Sequence, residues 1–149
     1  MRKCQFIVSL LICIGLVSFF SACDNNNNAE ERSLNLGNGN VLIVSQSVFE
    51  SVASVPFTIR DVEIQGDVLR ITVSASGCDG SSWRANLIAS DIIGRSEPPF
   101  RGVKLSFENN EDCLAVITKE FTFNIKNLRV EGSNSVRLNI SGIEIIYRY

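Results

Sequence analysis

Cysteine and histidine content sets the chemistry that this chain can carry out. The 149 residues include five cysteines and no histidine. Without histidine the sequence offers no histidine-based catalytic triad, no common zinc ligand set and no side chain that normally titrates near neutral pH. The glycine-rich phosphate and dinucleotide motifs and the nucleophile-elbow motif are also missing from it. The positions of the cysteines are therefore the first guide to function.

Cys23 follows a segment with the features of an export signal. Arg2-Lys3 is positively charged, and the apolar run over 6–20 is shorter than the roughly 20 residues of a membrane span. Ordinary secretory cleavage before Cys23 would put bulky Phe20 at a small-residue position, which favours a lipoprotein peptidase. Residues 20–23 resemble the bacterial lipobox, with Phe20 where leucine is usual. We expect cleavage before Cys23 and acylation of its thiol, with an uncleaved anchor helix as the alternative.

The expected domain organisation has three parts. A signal helix over 1–22 is removed, the lipidated Cys23 begins a disordered Asn-rich tether over 23–39, and a single β domain occupies 40–149. Losing two basic residues with the leader moves the net charge from −2 to about −4. This balance excludes the basic face that nucleic-acid binding requires. Membrane attachment therefore depends on the lipid, and we expect a cell-envelope location at the outer membrane, on its periplasmic or surface face.

Cys78 and Cys113 are the cysteines that remain in the mature domain with their thiols unmodified. An even pair in an oxidising compartment predicts a disulfide. A catalytic redox pair would need a Cys-x-x-Cys arrangement or a thiol of lowered pKa, and the sequence shows neither. We therefore expect a structural bridge that pins a loop to the start of a strand.

Carboxylates are the remaining candidates for catalysis. Glu97, Glu108, Glu111 and Asp112 are available for a glycosidase-like pair, yet each falls in a predicted turn or on a wet strand face. Asp79 and residues 109–112 could supply oxygen ligands to calcium, although they match no known loop spacing. The sequence predicts solvated charge at these positions, no catalytic residue, no metal site and no cofactor.

Three aromatic residues are candidates for ligand contact. Trp83 lies five residues after Cys78 and is expected either to pack beside the disulfide or to form a stacking platform for a glycan or protein. Tyr147 and Tyr149 end the chain on a predicted edge strand, where exposed rings could pair with another chain.

The elements that position these residues are predicted to be strands. Apolar and polar residues alternate with period two from residue 40 onward, without a sustained helical period. Val41–Val44 is the first run, Gln65-Gly66-Asp67 predicts a hairpin turn, and Ser141-Gly142 predicts a closing hairpin. Lys119 interrupts an apolar face, which predicts a bulge or bend near Thr118-Lys119-Glu120. Roughly seven to nine strands are typical of an all-β antiparallel sandwich of immunoglobulin-like type, with a closed barrel as the alternative.

Four short motifs resemble those of small lipoproteins from Bacteroidetes-type bacteria. They are Gly77-Cys78, Ser96-Glu97-Pro98-Pro99, Cys113-Leu114-Ala115 and Phe121-Thr122-Phe123-Asn124-Ile125, with Trp83 after the first. The resemblance covers about half of the mature chain and implies export, a β fold and a disulfide, with no activity to carry over. Relatives often have a histidine where this chain has Ser81.

These features predict a membrane-anchored envelope lipoprotein whose domain is a non-enzymatic binding module for a protein or glycan. We expect the ligand at loops Asp79–Ser82 and Ser90–Arg101, since sandwich loops carry function. One alternative is a protease-inhibitor-like sandwich that inserts Ile92-Ile93 or Pro98-Pro99-Phe100 into a cleft. A small glycan-binding domain is another. A carbohydrate-processing enzyme is the third, and it requires two carboxylates facing one cleft at about 5–10 Å.

Overall fold

Eight strands account for most of the chain that the structure describes. The structure is a computed structural model and describes residue 39 and residues 41–149. The predicted leader, Cys23 and nearly all of the predicted tether lie outside the described residues. The elements, in chain order, are β1 (Val41–Val44), α1 (Gln46–Ser51), β2 (Thr58–Gln65), β3 (Val68–Gly77), β4 (Arg84–Gly94), β5 (Phe100–Glu108), β6 (Ala115–Asn124), a 3-10 turn (Lys126–Leu128), β7 (Ser135–Ile140) and β8 (Ile143–Arg148).

The strands form two open sheets that share one core. One sheet has the order β1-β4-β5-β7-β8 and the other has the order β2-β3-β6. Alternate side chains of both sheets are buried together, such as Leu69 and Ile71 on β3 and Leu105 and Phe107 on β5. The predicted all-β sandwich is therefore confirmed. The closed barrel is excluded for the described residues, because both sheets end in edge strands.

Phe107 lies at the centre of an aromatic cluster that joins the two sheets. Its ring centroid is 5.1 Å from that of Trp83, 5.5 Å from that of Phe57 and 6.2 Å from that of Phe121. The Trp83 and Phe121 rings meet it edge-on, an arrangement that the aromatic quadrupole favours. This cluster ties the Trp83 end of β4 to both β5 and β6.

Two strand pairs depart from the antiparallel pattern that the sequence predicts. β1 pairs with β4 and β5 pairs with β7 in parallel, while the other pairs are antiparallel. Parallel neighbours need a long crossover. Here the crossovers are strands of the second sheet, since β2 and β3 lie between β1 and β4 in the chain and β6 lies between β5 and β7.

The two predicted hairpins are confirmed, whereas the bulge, one of the two irregularities predicted near Lys119, is absent from β6. Gly66 adopts a φ of +58° in the β2–β3 turn, where a side chain would be disfavoured. β6 pairs with β3 without a register shift from Ala115 to Asn124. Lys119 fits this regular strand because its long stem reaches out and its Nζ donates to the Gly80 carbonyl at 2.7 Å.

Candidate functional site

A groove crosses the outer face of the five-stranded sheet beside α1. It encloses about 560 Å³, which is within the usual range of about 300–1,000 Å³ for small-ligand sites. Strand β5 forms the floor of the groove. Its side chains alternate between the two faces of the sheet, so that Val103 and Leu105 point into the core while Phe100, Gly102 and Lys104 point outward. The residues that line the groove are mostly apolar or without charge: Gln46, Phe49, Ser90, Ile92, Gly94, Phe100, Gly102, Val103, Lys104, Asn139, Ser141 and Gly142.

α1 forms one wall of this groove and is held there by contacts with β4 and β5. Lys104 Nζ donates to the Phe49 carbonyl at 2.8 Å and lies 4.7 Å from the centroid of the Phe49 ring. The Ser90 hydroxyl donates to Gln46 Oε1 at 2.6 Å. A Cβ on Gly102 would come within 3.3 Å of Phe49 Cζ, so the missing side chain lets the ring approach the sheet.

The predicted ligand loop Ser90–Arg101 supplies part of this groove, although it is mainly strand. β4 continues to Gly94 and β5 begins at Phe100, so only residues 95–99 connect them. Ile92, one of the tip residues of the inhibitor hypothesis, is 55% exposed at the groove. Phe100, from the other proposed tip, is half-buried in the groove floor. α1 itself is not visible in the sequence pattern because six residues are too few to establish a helical period.

Two of the three aromatic residues chosen from the sequence are buried, which corrects the hypothesis that they contact a ligand. Trp83 is 1% exposed and packs against Phe107, so it is not a surface stacking platform. Tyr147 is 0% exposed on β8. Its hydroxyl donates to Asp67 and accepts from Arg129 Nε at 3.0 Å. Both residues serve the core because alternation points them inward.

The cluster around Tyr147 holds the β2–β3 turn against the last strand. Arg129 Nη2 lies 2.6 Å from Asp67 Oδ1 and forms an ion pair with it. The Tyr147 hydroxyl and the Arg129 guanidinium together lower the pKa of Asp67. Burial raises the pKa of the Tyr147 hydroxyl. The hydrogen bonds among these groups explain why a buried tyrosine is tolerated at this position.

Tyr149 is the third of these aromatic residues and lies at a separate, polar cleft. Its hydroxyl accepts from the Val130 amide at 2.8 Å, and the Arg129 guanidinium lies 5.1 Å from the ring centroid. The cleft encloses about 620 Å³ and is lined by Glu97, Pro99, Glu131, Gly132, Ser133, Asn134 and Tyr149. Glu97 and Glu131 are exposed, and neither carboxylate has a hydrogen-bond donor among the described residues.

The Cys78–Cys113 disulfide and Glu111 fasten the other predicted loop, Asp79–Ser82. The two cysteines are bonded, with their Cα atoms 4.9 Å apart. Glu111 Oε2 accepts from the amides of Cys78, Asp79 and Gly80 at 2.6, 3.2 and 3.0 Å. Its Oε1 accepts from the Ser82 amide at 3.1 Å and from the Ser82 hydroxyl at 3.2 Å. The sequence pattern predicts a solvated carboxylate at Glu111, so this structural role is visible only in the folded chain.

These donors determine the ionisation of Glu111. Desolvation alone raises its pKa, but the four backbone amides outweigh desolvation and lower the pKa from 4.5 to about 2. A carboxylate surrounded by N–H donors is a fixed anion, so it is neither a proton donor near neutral pH nor an open calcium ligand. Among residues 41–149, no group of three or more acidic or sulfur ligands is placed to hold a metal ion.

Replacing Glu111 by glutamine is expected to remove an acid-dependent part of the domain's stability. The folded-state pKa lies below the ordinary value, so ionised Glu111 stabilises the fold fully above pH about 4.5 and loses this effect as the pH falls through about 2. Urea unfolding across this range measures the effect. The wild type is expected to exceed Glu111→Gln in stability near neutral pH and to approach it near pH 2.

Glu108→Gln is the matched control, because Glu108 is exposed and its carboxylate accepts no hydrogen bond within the described part of the chain. Its unfolding midpoint is expected to follow that of the wild type at every pH. A constant difference between wild type and Glu111→Gln over the whole range would contradict the role given to the backbone donors.

The fold and the groove define a class: a β-sandwich of two open sheets with an apolar groove beside a short outer helix. No protein-family model matches the sequence, and no curated protein matches it. One similar solved structure is a protein of unknown function, DUF1344, from Bacteroides vulgatus, with 16% identity and a TM-score of 0.48 over 74% of this chain and 55% of that one. Another is a provisionally named toxin-related protein from Parabacteroides distasonis, with 15% identity and a TM-score of 0.45 over 74% and 59%. The chain spans less than two thirds of either protein.

No helix within residues 41–149 is both long and apolar enough to cross a membrane.

Proposed function

We propose that this chain is a lipid-anchored protein of the bacterial cell envelope whose β-sandwich is a non-enzymatic binding module. The groove beside α1 is the proposed ligand site. The observation that carries this proposal is the groove itself, since a concave, mainly apolar surface with a few polar groups is typical of a ligand site.

The proposed anchor rests on the residues around Cys23. A basic start, a short apolar run and small residues directly before the cysteine are the features that lipoprotein processing requires. The excess of acidic over basic side chains leaves an acyl group as the means of membrane attachment. The disulfide supports an oxidising compartment outside the cytoplasm.

Binding is favoured over catalysis by the state of the reactive groups. Cys78 and Cys113 are joined to each other, and the Glu111 carboxylate is occupied by backbone donors. Glu97 and Glu131 share a cleft, but both are exposed. A glycosidase acid needs a carboxyl that is shielded from water, and neither of these two carboxyls is shielded.

A small glycan is the second candidate ligand, at the cleft beside Tyr149. The observation that favours it is the combination of an aromatic ring with the polar groups of Glu97, Glu131 and Asn134 in one concave surface. Sugar recognition uses this pairing of an apolar ring face with hydrogen-bonding side chains. The groove beside α1 is preferred because its walls are mainly apolar and can exclude water from a ligand.

The proposed anchor is tested by labelling producing cells with an alkyne-bearing palmitate. The wild type is expected to carry the label and to sediment with membranes, whereas Cys23→Ser is expected to lose the label and leave the membrane fraction. Cys13→Ser, a change within the proposed leader, is the matched control and is expected to behave as the wild type. A wild-type chain without label, or Cys23→Ser with label, would refute the anchor.

A further inference from the structure

We infer that the groove beside α1 binds a medium-chain fatty acid, with the carboxylate at Lys104 and the alkyl chain directed towards Ile92 and Phe100. This inference names the ligand class of the binding site proposed above and rests on that proposed function. It follows from the different chemistry of the two ends of the groove.

Hydrogen-bond donors line the groove from its middle, where Asn139 is level with Gly102, to its Lys104 end. Asn139 Oδ1 already accepts from the Gly142 amide at 2.8 Å, which leaves the side-chain N–H groups of Asn139 for a ligand. The Ser141 Oγ accepts from the Leu105 amide at 3.2 Å, so its hydroxyl proton is also available. Together with the ammonium of Lys104, these donors fit a ligand head group that accepts hydrogen bonds and donates none.

Charge selects an anionic head. Lys104 donates to the carbonyls of Phe49 and Glu50 at 2.8 and 3.4 Å, which leaves one of its three protons. No carboxylate lies within ion-pair distance of Lys104 among the described residues, and no acidic side chain lines the groove. One uncompensated ammonium matches a single negative charge, and a carboxylate accepts from several donors at once.

The opposite end of the groove is apolar. Ile92 is 55% exposed, and Phe100 is half-buried beside Gly94. Phe100 and Lys104 are four residues apart on β5, which places them about 13 Å apart at a strand rise of about 3.3 Å per residue. An alkyl chain along this path would remove the exposed face of Ile92 from water. A ligand that fits this groove has one anionic group for the Lys104 end and an apolar chain for the rest, and a fatty acid has both.

Photo-crosslinking in membrane vesicles from cells that produce the full chain tests this inference. The probe is a diazirine-bearing decanoate, and unlabelled decanoate, decanol and decyltrimethylammonium are the competitors. Peptide mass spectrometry is expected to place the crosslink on the β4–β5 segment that contains Ile92 and Phe100. Decanoate is expected to compete about tenfold better than the other two, as a charge-assisted hydrogen bond implies.

Two pairs of variants separate binding from folding. Lys104→Gln is expected to weaken decanoate competition about tenfold, as loss of a charge-assisted hydrogen bond implies. Lys119→Gln is expected to leave it unchanged, because Lys119 makes the same kind of contacts away from the groove, with Gly80 and the Phe121 ring. Ile92→Asp is expected to abolish the crosslink, while Leu114→Asp, at a 91% exposed position, keeps it.

The outcomes distinguish this inference from the proposed function. Equal competition by all three compounds, or unchanged competition in Lys104→Gln, overturns the carboxylate assignment and leaves a general apolar groove in place. No crosslink on the groove segment overturns the fatty-acid inference and the ligand site together. Sedimentation of the same vesicles reports membrane anchoring independently of either result.

Discussion

Phe107→Ala is expected to destabilise the domain by about 3–5 kcal/mol, as removal of a buried phenylalanine typically does. The Phe107 side chain is fully buried and contacts the rings of Phe57, Trp83 and Phe121. Its removal leaves a cavity between the two sheets at the point where β4, β5 and β6 meet. Urea unfolding followed by Trp83 fluorescence measures the change, because Trp83 is the only tryptophan and packs on this ring.

Leu114→Ala is the control for this prediction. Leu114 is 91% exposed, so its truncation is expected to change the free energy of unfolding by less than about 0.5 kcal/mol. A loss below about 1 kcal/mol for Phe107→Ala would mean that the two sheets do not meet at this residue, and the packing described for the core would be wrong.

Loss of the disulfide has the second large expected effect. The bridge joins residues 35 positions apart, and on the chain-entropy model a loop of this length gives about 4 kcal/mol of stabilisation. The double variant Cys78→Ser/Cys113→Ser is therefore expected to lose a large part of a typical domain stability of about 5–15 kcal/mol. Chemical denaturation of the oxidised wild type and of the double variant measures the difference.

Reduction provides the internal control for this comparison. With dithiothreitol present, the wild type is expected to fall to the stability of the double variant, while the double variant itself does not change. Two reactive thiols in the denatured, unreduced wild-type domain would show that Cys78 and Cys113 are unpaired, contrary to the structure.

Local patterns predicted most of the fold because the strands follow strict alternation. The β2–β3 hairpin at Gly66 and the closing hairpin at Ser141-Gly142 occur where turn residues separate alternating runs. The parallel pairing of β1 with β4 and of β5 with β7 could not be predicted in this way. Strand direction depends on which sheet each strand joins, and alternation reports only which face of a strand is buried.

The groove was only partly predictable. The loop hypothesis included Ile92 and Phe100, whereas Phe49 and Lys104 come from an unrecognised helix and from an otherwise ordinary strand. In the sequence, Gly102 indicates only a residue that weakens a strand. The structure shows that the missing side chain makes room for the Phe49 ring. Residues far apart in the chain form this site, so sequence spacing gives no signal for it.

Two of the three aromatic candidates, Trp83 and Tyr147, are buried and therefore cannot contact a ligand at the surface. Trp83 packs in the core, which is one of the two interpretations that the sequence left open. The pattern of β8 predicts an exposed edge-strand position for Tyr147, but its ring is buried and its hydroxyl bonds to the partly exposed Asp67 and Arg129. Both partners come from turns elsewhere in the chain, so the pattern of β8 alone could not reveal them.

Mass spectrometry of the intact chain, extracted from the membranes of producing cells, tests the central claim most directly. The account predicts a polypeptide that begins at Cys23, carries diacylglyceryl and acyl mass on that residue, and retains the disulfide between Cys78 and Cys113. A chain that still begins at Met1, without added lipid and recovered from the cytosol with those two thiols reduced, would contradict it.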